Sequence, residues 1–161
     1  MKIIKLKGKR GDGKVVIVDN TDFEYLNKNK WYLGSQRHAI RTEKGKTIYM
    51  HKLIMNVERG FYVDHADGNP LNNQRFNLRK ATNSQNQMNR KNSSINTSGY
   101  KGVTWNKKLN KWRAQIYLEK KYIYLGYFKN IKDAASAYNE KARNIFGQFS
   151  RLNHIEEYNE L

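Results

Sequence analysis

Several kinds of residue are scarce in this chain of 161 amino acids, and each scarcity excludes a class of site. The chain contains no cysteine, which excludes a disulfide framework, a thiol nucleophile and a thiolate zinc site. Any metal must therefore be held by oxygen and nitrogen ligands, which favours Mg²⁺, Mn²⁺ or Ca²⁺ unless several histidines converge. The four histidines are too scattered in the sequence to promise such convergence.

Long apolar runs are also missing. No window approaches about 18 apolar residues, so we expect no membrane-spanning segment. The N-terminal MKIIKLKGKR lacks the apolar core of a signal peptide, so we expect a cytoplasmic protein. Hydrophobic residues nevertheless make up 38% of the chain and aromatic residues 12%, which is enough for small folded cores.

Acidic residues are few, since 14 Asp and Glu stand against 31 Lys and Arg, for a net charge of +17. Residues 68–118 contain no acidic residue but are rich in lysine, arginine and asparagine. Carboxylates repel phosphates, whereas these basic and amide groups donate hydrogen bonds to them. The distribution predicts nucleic-acid binding, with an anionic membrane or another polyanion as the alternative. Asp64 and Asp67, the only acidic residues of 61–118, therefore need a specific role.

The first 90 residues show short apolar patterns that predict small strands and helices. Strands are predicted at 14–19, 31–33, 37–42, 46–50 and 62–65. Helical turns are predicted within 19–29 with Thr21 or Asn20 as N-cap, at 51–56, and at 82–90 with Thr82 or Asn83 as N-cap. The intervening segment ADGNPLNNQRFNL is predicted to be a loop.

The character of the chain changes after a polar, basic segment at 91–98, which we interpret as a linker. Beyond it, strands are predicted at 100–106, 111–118 and 122–128, and an amphipathic helix at 133–147. The economical arrangement is a three-stranded antiparallel sheet packed on one helix, a domain at 99–153 followed by a tail at 154–161. The predicted fold class is α+β.

Asp64 and His65 are adjacent at the end of a predicted strand, so their side chains point in opposite directions. The carboxylate can then ligate a metal while the imidazole faces a water molecule. Asn86, on the following predicted helix, can bring an amide oxygen to the same metal, and such ligands suit Mg²⁺. Phosphodiester hydrolysis needs a base and charge neutralisation, which His65 and a metal can supply. The alternative is a capping Asp64 and a surface His65.

The motifs DHADGN, NN, FNLR and QNQMNR, in order over about 27 residues, resemble the HNH homing endonucleases of phages and introns that carry asparagine in place of the last histidine. The resemblance implies a nuclease domain at 1–90, in which a β-rich leader precedes a ββα-metal (His-Me) finger at about 61–90. It implies His65 as the general base and Asn77 as the residue that orients the loop or the histidine. Asp64 and Asn86 would bind one divalent metal ion, Mg²⁺ or Mn²⁺.

Other polar residues of this region have structural interpretations. His51 lies in a stretch that resembles the family's HRLI motif, and we expect it to pack or to contact a backbone phosphate. Asp67 is expected to cap the DGN turn, because Gly68 follows it directly. Asn72 and Asn73 are expected to shape the loop or to contact phosphate.

The predicted C-terminal sheet has one face that is basic and aromatic, which favours a DNA surface over an ordinary solvated face. The segments SGYKGV, KWRAQI, YLGYF, AASAYNEKA, FG and LN resemble the plant APETALA-2 / ethylene-response-factor DNA-binding domain, whose sheet enters the major groove. The resemblance implies DNA contacts at Lys101, Thr104, Asn106, Gln115, Tyr117, Tyr122 and Tyr124. Arg113 faces outward in the predicted strand and is expected to contact phosphate.

Together these patterns predict a metal-dependent endonuclease that nicks or cuts double-stranded DNA at preferred sites, as a monomer or a homodimer. No membrane and no small-molecule substrate are expected, and the resemblance implies a phage or mobile-element origin. The main alternative is a sequence-specific DNA-binding regulator with a catalytically idle finger. A third interpretation, an RNA-binding or RNA-cleaving protein, is kept open by the aromatic sheet.

Overall fold

The computed structural model describes residues 1–90 and 96–156 of the chain. The chain folds as two compact units, Met1–Asn86 and Gln87–Leu161. Residues 91–95 of the predicted linker and 157–161 of the predicted tail lie outside the described residues. No helix in the described part of the chain combines the length and the apolar character that crossing a bilayer requires.

The N-terminal unit is built from three small antiparallel sheets and short helices. The sheets pair β1 with β2, β3 and β5 with the central β4, and β6 with β7. In chain order the elements are β1 Lys2–Lys5, β2 Val15–Val18, α1 Asn20–Asn27, β3 Tyr32–Leu33, β4 Ala39–Glu43, β5 Lys46–Tyr49, α2 Met50–Met55, β6 Tyr62–His65, β7 Leu78–Ala81 and α3 Asn83–Met88. The last two residues of α3 belong to the C-terminal unit. Together, β6, β7 and α3 form the ββα finger that the family resemblance implied.

One hydrophobic core holds the N-terminal unit together. Val16 and Val18 of β2 are fully buried because alternate residues of a strand face the same side. They pack in one cluster with Leu26 of α1 and with Trp31, whose indole nitrogen donates to the Leu26 carbonyl oxygen at 2.9 Å. Leu78 of β7 belongs to the same cluster, so the finger rests on the core built by the leader.

Two helix starts in the N-terminal unit differ in how they are capped. The N-cap of α1 is Asp19, so the prediction of Thr21 or Asn20 was wrong. The Asp19 carboxylate instead accepts a hydrogen bond from the Arg75 backbone amide at 2.7 Å, which ties the start of α1 to the chain before β7. The cap of α3 at Thr82 is confirmed by a reciprocal pair of bonds with Gln85, at 2.8 and 3.2 Å.

The C-terminal unit is a three-stranded antiparallel sheet packed on one helix, as predicted. Its elements are β8 Val103–Asn106, β9 Lys111–Leu118, β10 Lys121–Phe128 and α4 Ile131–Phe146, with β9 in the centre. Strand β8 starts later than the predicted 100–106 because the chain turns at Gly102, whose φ is +76°. A Cβ at Gly102 would overlap the Tyr138 ring and the Gln115 carbonyl oxygen, so only glycine fits there.

Small residues let α4 lie close to the sheet. Ala134, Ala135 and Ala142 are fully buried, and Tyr138 packs with Ile116 of β9. The buried Asn139 of α4 holds the end of the described chain, because its side chain donates to the Asn153 carbonyl and accepts from the Asn153 amide at 2.9 and 2.7 Å. The helix stops at Gly147, as the sequence predicted.

Candidate active site and candidate nucleic-acid interface

The end of β6 places Asp64 and His65 in the interior of the N-terminal unit. They are 5% and 6% exposed, which rules out the surface histidine of the alternative interpretation. Asp64 lies opposite Arg79 of β7, and His65 lies opposite Leu78. Because consecutive strand residues point to opposite faces, the side chains of Asp64 and His65 lie on different sides of β6 and contact different groups.

The Asp64 carboxylate forms an ion pair with Arg79. Its Oδ2 accepts from the Arg79 Nε at 2.7 Å and contacts Nη2 at 2.6 Å. Both side chains are largely buried, and a buried carboxylate needs such a partner to offset its lost hydration. Arg79 follows Leu78 within the FNLR motif, but its pairing with Asp64 was not predicted from the sequence.

His65 is held through one ring nitrogen. Its Nε2 lies 2.8 Å from the Oδ1 of Asn73, a residue with no exposed surface. An amide oxygen only accepts hydrogen bonds, so this contact matches the tautomer in which Nε2 carries the proton and Nδ1 keeps its lone pair. Burial lowers the pKa of His65, although the Asn73 bond and the carboxylates of Asp67 and Asp64 act to raise it. The imidazole is therefore neutral near pH 7, the form that can take up a proton.

The loop between β6 and β7 is organised by Asn77, which is 3% exposed. Its side-chain amide donates to the Asp67 carboxylate at 3.0 Å and to the Asn72 carbonyl at 2.8 Å, and its oxygen accepts from the Asp67 amide at 3.0 Å. Asn77 thus orients the loop, which was one of its two expected roles. The bond to the histidine comes from Asn73 instead, whose backbone amide is anchored to the Ile17 carbonyl of β2 at 2.8 Å.

Two expectations about this loop are confirmed. Asp67 caps the turn, because its carboxylate accepts from the Asn69 amide at 2.7 Å. It also accepts from the Asn72 side chain at 2.8 Å, so Asn72 shapes the loop. The sequence indicated that these asparagines matter, but not which of them would bond to His65.

Asn86 lies in the first turns of α3. Its backbone amide donates to the Thr82 carbonyl at 3.0 Å, and its side chain is half-buried. No side-chain hydrogen bond of Asn86 was found within residues 1–90 and 96–156. Its amide oxygen is therefore open to a ligand.

Three histidines converge, contrary to the expectation from their spacing. The rings of His38, His51 and His65 have centroids 4.5 Å (His38–His51), 5.2 Å (His51–His65) and 5.5 Å (His38–His65) apart. Burial, with the neighbouring histidines and Lys52 acting in the same direction, lowers the pKa of His38 to about 4 and that of His51 to about 2. His51 is 4% exposed, which supports packing rather than a phosphate contact. His38 was missed, because nothing in its local sequence marks it.

The C-terminal sheet has an open face on the side away from α4. Ala114 and Ile116 of β9 are buried, whereas Tyr117 of the same strand is 53% exposed. Tyr117 pairs with Tyr122 of β10, and their ring centroids are 4.8 Å apart. The other members of this face follow the same register, in which Thr104 pairs with Arg113 and Gln115 with Tyr124.

Two of the predicted DNA contacts have partners inside the C-terminal unit. The Lys101 ammonium donates to the Met88 and Arg90 carbonyl oxygens at 2.5 and 2.8 Å, and burial lowers its pKa to about 8. Asn106 donates to the Tyr127 hydroxyl at 3.1 Å and accepts from the Leu109 amide at 3.1 Å, so it closes the turn between β8 and β9. Sequence reasoning could not anticipate these partners, which depend on the folded chain.

Comparison with known proteins gives one family. Residues 36–88 match the family model described as HNH endonuclease. A protein of Acanthamoeba polyphaga mimivirus, named as an uncharacterized HNH endonuclease, is 33% identical over 156 residues, which covers 91% of this chain and 79% of that protein. Protein 3.8 of Escherichia phage T7 is 38% identical over 96 residues, or 60% of this chain and 78% of that protein. No solved structure matches the chain.

Proposed function

Since the chain belongs to the HNH endonucleases, we propose that it is a metal-dependent enzyme that hydrolyses phosphodiester bonds of double-stranded DNA, with His65 as the general base. The observation that carries this proposal is the state of His65, which is buried, neutral and held through Nε2 by Asn73. A base so held presents its Nδ1 lone pair in one direction, as proton removal from an attacking water requires.

Asp64 and Asn86 are the proposed ligands of the divalent metal ion. A carboxylate and an amide oxygen are hard donors of the kind that Mg²⁺ or Mn²⁺ prefers, and the side chain of Asn86 has no hydrogen-bond partner in the described residues. The ion pair with Arg79 is compatible with this role, because a carboxylate has about four acceptor sites. Bound there, the metal would neutralise the phosphoryl charge and stabilise the departing 3′ oxygen.

The asparagines of the loop act as positioning residues. Asn73 sets the tautomer of His65, and Asn77 fixes the loop that carries Asn73 through its bonds to Asp67 and Asn72. Attack of the activated water on phosphorus with loss of the 3′ oxygen leaves a 5′-phosphate and a 3′-hydroxyl. A single finger cuts one strand at each visit, so a monomer nicks DNA and a homodimer can cut both strands.

The C-terminal sheet is the proposed DNA-binding module that brings the nuclease to its target, in line with its resemblance to the APETALA-2 domain. Its open face carries groups that can hydrogen-bond or stack on DNA. Thr104, Tyr117, Tyr122 and Tyr124 are exposed, and Arg113 and Gln115 are half-buried. Lys101 and Asn106 were proposed as direct contacts from the sequence. Their hydrogen bonds favour a supporting role beneath this face.

The test is cleavage of supercoiled plasmids that carry random inserts, with Mg²⁺ or Mn²⁺ and with a chelator, followed by sequencing of the cut ends. We expect metal-dependent nicked or linear product, and a loss of about 10²- to 10⁴-fold in rate for His65→Ala. His154→Ala, which removes the exposed histidine of the other unit, is the matched control and should cut normally. Undiminished cutting by His65→Ala would contradict the proposed role of this residue.

One observation favours the second candidate, a DNA-binding regulator with an idle finger. The Asp64 carboxylate already has its charge compensated by Arg79, as in a site that holds no cation. This candidate predicts salt-sensitive plasmid binding without any product from the random-insert library. Metal-dependent cleavage by the wild-type protein would exclude the regulator with an idle finger.

A further inference from the structure

We propose that His38, His51 and His65 form a second metal site, which takes a transition-metal ion with affinity for imidazole, such as Zn²⁺. The site differs from the oxygen-ligand position at Asp64 and Asn86 in both its residues and its chemistry. Its occupation would withhold His65 from the attacking water, so that the ion acts as an inhibitor. This inhibitory consequence rests on the proposed function, whereas the binding itself does not.

The arrangement of the ligand atoms supports the site. One ring nitrogen from each of the three histidines lies within 4.8 Å of the others. A tetrahedral Zn²⁺ with Zn–N distances of about 2.0–2.1 Å places its nitrogens roughly 3.4 Å apart. The ring nitrogens therefore need to approach one another by on the order of 1 Å to bind such an ion.

Unsatisfied nitrogens provide a second, independent argument. The Nδ1 atoms of His38 and His51 are buried and have no hydrogen-bond partner among the described residues. A buried polar atom without a partner is costly and uncommon in folded proteins. Coordination to a cation would supply the missing interaction for these nitrogens.

The donor chemistry selects the class of metal. The trio contains no carboxylate, and an all-imidazole set suits Zn²⁺, Cu²⁺ or Ni²⁺ rather than Mg²⁺. The bond from the His65 Nε2 to Asn73 is the kind of outer contact that orients a metal-binding imidazole.

The placement of the three ligands predicts that binding stabilises the unit. His38 directly precedes β4, His51 lies in α2, and His65 ends β6, so one ion links three elements that are distant in sequence. Unfolding separates them and releases the ion, and the free energy of binding therefore adds to the stability of the folded chain.

The first experiment measures binding without reference to activity. The metal-free full chain is titrated with Zn²⁺ against a chromophoric chelator, and with Co²⁺ as a coloured substitute, in excess Mg²⁺. We expect one equivalent bound, at least tenfold weaker binding in His38→Gln and His51→Gln, and unchanged binding in His154→Gln, the fourth histidine. Thermal unfolding with and without Zn²⁺ should show stabilisation of the wild type and of His154→Gln only.

Two results would overturn the site. One is wild-type binding no tighter than that of His38→Gln, which would mean that the histidines are a packed cluster. The other is an equal loss in His154→Gln, which would mean adventitious surface binding. His38→Gln is the decisive variant, because its half-buried side chain can be replaced with less risk to the fold than the 4% exposed His51.

The second experiment tests inhibition. Cleavage of the sequenced target in saturating Mg²⁺ is compared with and without one equivalent of Zn²⁺. We expect at least a tenfold loss in the wild type and little change in His38→Gln. Cleavage by zinc-loaded wild type at the zinc-free rate would contradict the inhibition, and the absence of cleavage without zinc would contradict the proposed function, while the titration decides the site by itself.

Discussion

The two units of this protein hold their candidate functional groups in opposite ways. In the N-terminal unit, Asp64 and His65 are 5% and 6% exposed and each has a bonded partner. In the C-terminal unit, Tyr117, Tyr122 and Tyr124 are 53%, 68% and 56% exposed. Chemistry at one bond needs groups held in fixed geometry, which burial and hydrogen bonds supply. A recognition surface must remain accessible to its partner. This contrast is consistent with the proposal that the N-terminal unit cleaves DNA and the C-terminal unit binds it.

The largest expected effect tests the buried side of this contrast. Arg79→Gln leaves the Asp64 carboxylate buried without a full positive partner, and we expect a loss of about 3–5 kcal/mol in the free energy of unfolding, measured in urea. The double variant that adds Asp64→Asn to Arg79→Gln removes the uncompensated charge and should recover part of the lost free energy of unfolding. The exposed Arg59→Gln is the control, and an equal loss there would disprove the importance of burial.

Acid should weaken the N-terminal unit selectively. His38 and His51 have folded-state pKa values lowered to about 4 and about 2 from 6.5, so the unfolded chain binds more protons between these values and 6.5. Their contribution is present above pH 6.5 and is lost as the pH falls, by about 2 kcal/mol per histidine between pH 7 and pH 5.

Urea unfolding at the two pH values, followed by Trp31 fluorescence in a chain whose C-terminal tryptophans are replaced by Phe, measures this loss. His38→Gln should flatten the pH dependence in part. A profile that is equally steep in that variant would contradict the assignment.

A smaller effect concerns a residue that the sequence placed on the DNA surface. Lys101→Ala removes two bonds to the Met88 and Arg90 carbonyl oxygens, and we expect a loss of about 1–2 kcal/mol in stability with little change in the salt slope of DNA binding. Lys107→Ala, which removes an exposed lysine of the same unit, is the control and should leave the free energy of unfolding unchanged. If Lys101→Ala keeps the stability of the wild type but shows a reduced salt slope, Lys101 contacts DNA directly and the supporting role is wrong.

The smallest effect tests the exposed side of the contrast. Tyr122→Ala removes the most exposed of the three tyrosines and should weaken DNA binding by about 1 kcal/mol, roughly fivefold, with stability nearly unchanged. Tyr25→Ala, an exposed tyrosine of the N-terminal unit, is the control in a fluorescence-anisotropy titration. Equal affinity of both variants would leave the sheet without a role in recognition.

Many elements followed from local patterns. Strand β9 matches its predicted bounds because Ala114 and Ile116 alternate with polar and aromatic neighbours, and the period of two is characteristic of a strand. The end of α4 at Gly147 was predicted for a similar local reason. Strands β1 and β7 were missed, since four residues with one buried face carry little periodic signal.

The candidate site was predicted as a set of residues but not as a set of contacts. The adjacency of Asp64 and His65 indicated a two-sided arrangement, and both are buried at the end of β6. The partners came from elsewhere in the chain, since Asn73 rather than Asn77 bonds to His65, and Arg79 pairs with Asp64. A one-dimensional pattern does not show which of several asparagines in a loop will face a given ring.

The sequence by itself therefore determined the basic character of the chain, most of the local elements and the residues proposed for the site. These depend on composition and on periods of two and 3.6 residues, which act over a few neighbours. The tertiary structure decided the convergence of His38, His51 and His65 and the hydrogen bonds of the half-buried Lys101. Such contacts join residues far apart in the chain, and they form only when the packing of hydrophobic cores brings separate elements together.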